Sequence, residues 1–363
     1  MEARVPILAA AVLAAHLTNL QKEATVRTLD EPVAVRGSGR VVVDGASTMR
    51  LRIRGGVAGT TLRITTPNGD VETFEMQSDD QWGPTMSGDD VTVESDAPLA
   101  IMQVAVGTVP VASNGSSCLL DVACSSANES PEVRGASRAI AMIRFVRGDA
   151  SFVCSGALLN DATNSGTPYF LTARHCISTA EEAASIEAVW DDRSASCGIG
   201  AAGNTTTRTY GADLLVSSAE TDVALLRLRR LPPNRTFLGV SLAPLADGTP
   251  VYRVSHADGA PQTFTSGVVH ATGGECPAAP RGRFVYTSML GGGVTTGSSG
   301  APLLLPGLRV AGQLLGVCGA VPNDPCASGN DAVDGSIAAS WPLLAPFLAP
   351  PSAPRRRAVP SAS

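Results

Sequence analysis

Phe170-Leu171-Thr172-Ala173-Arg174-His175-Cys176 is an apolar, strand-patterned run that ends on a histidine beside a cysteine. A histidine acting as a base must hold one tautomer and one ring orientation, and a cysteine fixed next to it can pin both. Working outward from this run, short segments of similar pattern recur at 139–146, 152–159, 169–172, 186–190, 222–228, 250–254, 284–289 and 310–318. Many short strands separated by turn residues favour a barrel or sandwich, and the 37 glycines and 25 prolines supply those turns. Only two stretches read as helix: 179–184, and a terminal one near 337–348 that Pro342 and Pro346 are expected to shorten.

The region before residue 110 is different. It holds six period-two segments, at 40–44, 49–54, 61–65, 71–76, 91–94 and 99–106, with Asn68-Gly69 suited to a tight hairpin turn. A small β-sandwich over 26–110 follows. It contains no cysteine, histidine or nucleophile-base set, so its role reads as accessory. A Gly/Ser/Asn-rich stretch at 110–117 makes an exposed linker. Near the start, 5–15 is apolar and follows Arg4, but a spanning helix needs roughly 20 apolar residues. Residues 1–20 therefore read as a secretory leader, with a buried N-terminal helix as the alternative. The tail 349–363 is rich in Pro, Ser and Arg and reads as disordered.

A net charge of −6 argues against nucleic-acid binding, and 44% hydrophobic with 17% charged residues supports a sizeable core. All eight cysteines lie after residue 117, an even number in a chain with a leader-like start, which implies disulfides formed in an oxidising compartment. Zinc is the competing reading, but there is no C-x-x-C pair and only His175 adjoins a cysteine. No metal and no organic cofactor is expected.

His16 falls in the leader, which leaves His175, His256 and His270 as candidate bases. Gly297-Ser298-Ser299-Gly300-Ala301-Pro302 is a small-residue turn that can present a serine hydroxyl and aim backbone N–H groups at a developing oxyanion. A plain surface loop is its bland reading. Asp222 opens the apolar run 222–228, and a partly buried Asp there must be paired or hydrogen-bonded, whether as a turn cap or as a partner to His175. The order His175, Asp222, Ser299 excludes an α/β-hydrolase, because no histidine follows the serine.

Thr-Ala-x-His-Cys, Asp-Val-Ala-Leu-Leu and Gly-x-Ser-Gly-x-Pro in that order resemble the chymotrypsin fold of serine peptidases, and more closely its bacterial lysyl-endopeptidase branch, over roughly 111–348. The resemblance implies an all-β fold of two six-stranded antiparallel barrels, about 135–232 and 235–340, with a short C-terminal helix. It implies a secreted, monomeric endopeptidase acting on polypeptides, off the membrane once the leader is removed, with Ser299 as nucleophile, His175 as base and Asp222 orienting it. The amides of Gly297 and Ser299 would form the oxyanion hole. The branch's bridges, transferred to matching positions, imply Cys118–Cys326, Cys124–Cys197 and Cys154–Cys176, which leaves Cys276 with Cys318. A bridge at Cys154–Cys176 would be worth about 3 kcal/mol and would stiffen the loop bearing His175.

Two features depart from trypsin-like relatives. Ser298 stands where their N-terminal ion pair needs an Asp, so maturation by removal of residues before about 115 would use no such switch, and the sandwich resembles a propeptide, or else a retained binding module. The pocket-base position six residues before the nucleophile is Gly293. The branch's later Asp corresponds to Asp331 with one inserted residue, and Asp334 is its rival. A carboxylate there implies cleavage after Lys or Arg. The branch also has a His where Leu315 stands, so any rate contribution from that His is absent; His256 falls in a structural loop, and His270 has no assigned role. The alternative to an enzyme is a catalytically silent, peptidase-like binding protein.

Overall fold

The computed structural model describes residues 19–108, 118–124, 130–197, 206–272 and 275–349. The expected leader, apart from residues 19 and 20, lies outside these, as do the linker 110–117 and the tail beyond 349.

The N-terminal part is a six-stranded sandwich: β1 (Gln21–Val42), β2 (Thr48–Arg54), β3 (Thr61–Thr65), β4 (Val71–Glu75), β5 (Asp80–Ser87) and β6 (Asp90–Gly107). The last half of β6 pairs with β2 and its first half with β3, while β1 runs antiparallel along both. Val35, Leu51, Ile53, Leu62, Ile64, Phe74 and Ile101 fill the space between the sheets. The segments expected separately at 91–94 and 99–106 are thus one strand. Two parts were not anticipated. β5 contains Gly83 and Pro84, residues unfavourable inside a strand, which are tolerated because among the described residues β5 is an edge strand paired with β2 alone. β1 begins at Gln21 rather than near residue 40; its first half is polar and lacks period two, because backbone pairing with β6 defines it more than burial does.

Beyond the linker come β7 (Leu120–Asp121) and α1 (Pro131–Ser137), a helix with Ser130 as N-cap and proline at its first position. The first barrel comprises β8 (Ile140–Arg147), β9 (Ala150–Leu159), β10 (Tyr169–Ala173), β11 (Glu187–Trp190), β12 (Thr207–Tyr210), β13 (Ala212–Ser218) and β14 (Val223–Leu228), with α2 (Ala180–Ala184) between β10 and β11. Only Gly211, at φ 71°, separates β12 from β13. The bent ribbon pairs with β11 at one end and β14 at the other, which makes six strands of seven segments. The second barrel comprises β16 (Pro250–Ser255), β17 (Thr263–Val269), β18 (Phe284–Gly291), β19 (Pro302–Leu305), β20 (Arg309–Gly319) and β21 (Asn330–Ser336), with a short parallel partner β15 (Gly239–Val240) beside β20. Its antiparallel ring closes through β20 and β21.

α2 starts one residue later than expected, with Thr179 as its N-cap. α3 (Ile337–Leu348) ends the described chain and is not shortened by its two prolines. Ala338, Pro342 and Pro346 all stand at exposed positions of the helix, where the hydrogen bonds that prolines cannot make cost least.

The run quoted first is buried on both faces, which is why it reads as continuously apolar. Phe170 and Leu226, paired across β10 and β14, point into the first barrel. Leu171 and Leu225, the next pair, point out into a core shared with Leu238, Val254, Leu304, Ile337 and Leu344. Period two along these strands therefore seats one barrel against the other.

The sandwich is joined to the first barrel by its first strand and by buried charge. Gln21 to Thr25 of β1 pair with Val153 to Ala150 of β9, on an edge that β10 leaves free. Beside this seam Arg50, only 2% exposed, donates to the carbonyls of Gly83 and Ser185 at 2.7 Å each and lies 3.9 Å from the fully buried Glu187. Glu187 also accepts from the Thr85 amide and hydroxyl and sits 3.4 Å from Arg208, while Arg144 pairs with Glu23 at 2.6 Å. Burial alone would raise the Glu187 pKa, but Arg208, Arg50 and Arg144 outweigh it and hold the carboxyl at about 2. A folded-state pKa below the ordinary 4.5 means this stabilisation is present above about pH 4.5 and is lost as pH falls toward 2. Thermal unfolding followed against pH will show a midpoint that drops over that window, and Glu187→Gln will flatten the drop while lowering the midpoint at neutral pH.

Candidate active site

Strand β10 ends at Ala173, and the chain turns tightly there: the amides of Cys176 and Ile177 both donate to the Ala173 carbonyl at 3.1 Å. His175 lies in this turn. It is fixed on one side by the Cys154–Cys176 disulfide and on the other by Arg147, which donates to the carbonyls of His175 and Cys176 at 3.0 and 2.7 Å. Arg147 is held in turn by Glu182, the acidic member of a capping box that starts α2 at Thr179. Cys154, His175 and Cys176 form a metal-like cluster, but both sulfurs are spent in the disulfide and offer no thiolate.

Asp222 grips this turn at three points. Its Oδ2 lies 2.6 Å from His175 Nδ1, its Oδ1 accepts the His175 amide at 2.8 Å, and its carbonyl accepts the Arg174 amide at 2.6 Å. To do so Asp222 adopts φ 53°, a left-handed conformation that Asp tolerates better than most residues. The preceding Thr221 ties it to the second barrel: Gln313 donates to the Thr221 carbonyl at 2.9 Å, and Ser340 donates to its hydroxyl at 2.7 Å. The ring nitrogen left over, His175 Nε2, is buried and has no hydrogen-bond partner among the described residues.

The turn 297–300 comes from the second barrel and is docked on β9 and β10. Ser155, fully buried, donates its amide to the Ser299 carbonyl at 2.8 Å and its hydroxyl to the Gly297 carbonyl at 2.9 Å, and accepts the His256 amide at 2.9 Å. A Cβ at Gly300, which has φ 80°, would fall 2.3 Å from Thr172 Oγ1 and 2.8 Å from the Ala173 amide nitrogen. The turn thus touches the end of the strand that leads into His175. Gly297, at φ 85°, is equally closed to a side chain by the His256 carbonyl at 2.5 Å. Neither the Gly297 nor the Ser299 amide has an acceptor among the described residues, whereas the Ser298 amide donates to Thr295 and the Gly300 amide to Leu314. Ser298 itself is buried and accepts from Ser255 at 3.1 Å.

Beside Ser299 opens a cleft of about 280 Å³ whose lining includes Val294, Leu314, Leu315 and Val317, with Thr295, Thr296 and Asp258 on one side. Asn19 also borders it, and Thr296 donates to the Gln21 side chain at 2.7 Å, so the start of β1 runs along the cleft. Asp331 is not among the lining residues: its two oxygens take His270 Nδ1 and the Ser288 hydroxyl, both at 2.8 Å. Asp334 is wholly buried against Arg253 at 2.5 Å. His256 is a core histidine; burial lowers its pKa, and its Nδ1 bonds to the Ala260 carbonyl at 3.0 Å.

All four disulfides join the cysteines named from the sequence: Cys118–Cys326, Cys124–Cys197, Cys154–Cys176 and Cys276–Cys318. Sequence reading did not find Ser155, Thr221 or Gln313. Each acts through the backbone of a residue distant in sequence, and a lone Ser, Thr or Gln in an apolar run gives no signal of that.

The family model described as lysyl endopeptidase, C-terminal domain, matches residues 112–331. A curated relative, the lysyl endopeptidase of Pseudomonas aeruginosa, is 28% identical over 215 residues, covering 53% of this chain and 46% of its own length. The chain therefore spans about half the length of that relative. Among solved structures, the active form of a protease from M. tuberculosis has 18% identity and TM-score 0.41, covering 63% of this chain and 89% of that one. A serine endoprotease from Yersinia pestis has 20% identity and TM-score 0.42, covering 60% and 65%.

Ser155→Ala is expected to leave the Gly297 carbonyl and the His256 amide buried without partners, at about 1–3 kcal/mol. A lowered thermal midpoint measures it, and an unchanged midpoint would show that the turn does not depend on this serine.

Proposed function

We propose that this chain, which belongs to the lysyl endopeptidase C-terminal domain family, is a serine endopeptidase that hydrolyses polypeptides. The observation behind the reading is the grip of Asp222 on both ring and backbone of His175, at 2.6 and 2.8 Å, beside a serine turn bonded to the same strand ends. Asp222 keeps the proton on His175 Nδ1 and leaves Nε2 as the base. As Ser299 Oγ adds to the scissile carbonyl carbon, its proton passes to Nε2, and the amides of Gly297 and Ser299 receive the oxyanion, each such donor being worth about 3 kcal/mol in comparable sites. Collapse breaks the carbon–nitrogen bond, with His175 returning the proton to the leaving amine. Water, deprotonated by the same ring, then frees the acyl group. Retention of all three side chains favours this over a silent binding protein.

The Lys or Arg preference implied by the resemblance rests on a carboxylate at the cleft wall. Asp331 is committed to His270 and Ser288 away from the lining, so the proposal made here is cleavage of polypeptides without that restriction.

The N-terminal sandwich is read as a propeptide rather than a binding module, because Asn19 and Gln21 lie along the cleft where a substrate must enter. Four disulfides suit an exported protein, and no described helix is long and apolar enough to cross a membrane.

Ser299→Ala is expected to abolish peptide hydrolysis and fluorophosphonate labelling without changing the thermal midpoint, since the turn is held through the Ser299 carbonyl. Normal labelling of that variant would move the nucleophile elsewhere. N-terminal sequencing of the secreted protein should find a start between residues 109 and 118; a start near residue 19 would make the sandwich a permanent domain.

A further inference from the structure

Resting on the endopeptidase reading above, we propose that the cleft beside Ser299 takes an uncharged aliphatic side chain of leucine or methionine size before the scissile bond, and discriminates against lysine and arginine. The inner wall is hydrocarbon: Val294, Leu314 and Val317, which line the cleft, pack with Ala332 and Met289 in one buried apolar cluster. Ala332 pairs with Val317 and is 1% exposed, so it stands directly behind that wall. A cationic side chain entering here would lose its water and find no opposite charge, whereas an aliphatic one would exchange water for apolar contact.

Each neighbouring carboxylate is accounted for. Successive side chains on a strand point to opposite faces, so with Ala332 turned to the cleft wall, Asp331 points away, to where His270 and Ser288 bind both its oxygens. Asp334 is neutralised by Arg253 in the core. Gly293 has no room for a side chain: a Cβ would lie 2.9 Å from the Pro325 carbonyl and 3.1 Å from Cys118 Sγ. Asp258 borders the cleft but is partly exposed, outside the apolar cluster, and its Oδ1 accepts from the hydroxyls of Thr295 and Thr296.

The test uses the mature protein secreted after expression of the full chain, with its N-terminus sequenced so that the state of the sandwich is known. A small fluorophosphonate first counts competent sites, because its reaction with Ser299 needs no side chain in the cleft. Absence of labelling removes the endopeptidase reading and this proposal with it. With labelling present, a peptide panel differing only at the residue before the cleaved bond should give kcat/KM for Leu or Met about 100-fold above Lys and Arg. Equal or preferred cleavage after Lys or Arg overturns the proposal and leaves the endopeptidase reading standing. Ala332→Asp, which sets a carboxylate behind the wall, should raise the Lys-to-Leu ratio at least tenfold with labelling retained; an unchanged ratio in a labelled variant overturns the placement of Ala332. If that variant does not fold, the wild-type panel decides alone.

Discussion

The two barrels share an apolar core, but the serine turn and the His175 turn are located across it by a small set of buried polar contacts, and Ser155 is their centre. One buried serine bonds to two carbonyls of the 297–300 turn and to the backbone of the 256–260 loop, and its neighbour Cys154 is bridged to the turn that bears His175. Across the same seam Gln313 and Ser340 hold Thr221, and through it Asp222. The candidate catalytic groups are thus located by backbone hydrogen bonds in a water-poor interface, where such bonds are strong and costly to leave unmade. Loss of register between the barrels would disturb the imidazole, the carboxylate and the serine turn together.

How much of this the sequence disclosed follows from where each segment is buried. β10 and β14 were legible because apolar neighbours cover both of their faces, and the serine turn because Gly297 and Gly300 sit where a Cβ would strike backbone. The first half of β1 was illegible because its packed side chains, such as Glu23 and Ala24, are polar or small and its pairing is through amides. β17 escaped notice too, since Thr263 and Thr265 are buried polar residues that break the apolar alternation and spend their hydroxyls on Ser255 and Gly293. Asp331 shows the limit of motif transfer. A shift of one residue along a strand reverses the face to which a side chain points, so a carboxylate near the right place in sequence can lie on the wrong side of the wall.

The cleft and the sandwich are linked through Thr296, which bonds both Asp258 at the rim and Gln21 of β1. The residues that border the site of chemistry on one side therefore also hold the N-terminal strand. Apolar wall and polar rim differ in kind: the wall has no charge to offer a side chain, while the rim hydroxyls of Thr295 and Thr296 are bonded to Asp258 and Gln21.

The charged seam beneath β1 bears on when such a molecule becomes free to act. Severing one peptide bond in the linker changes none of the hydrogen bonds between β1 and β9, nor the contacts of Arg50 with Glu187 and Ser185. The two fragments would persist as a non-covalent complex whose parting exposes an unpaired sheet edge and strands a buried glutamate. Were the sandwich released as the propeptide reading proposes, the onset of turnover would follow a dissociation rate, and acid or further digestion of the released fragment, rather than the nick, would set the clock.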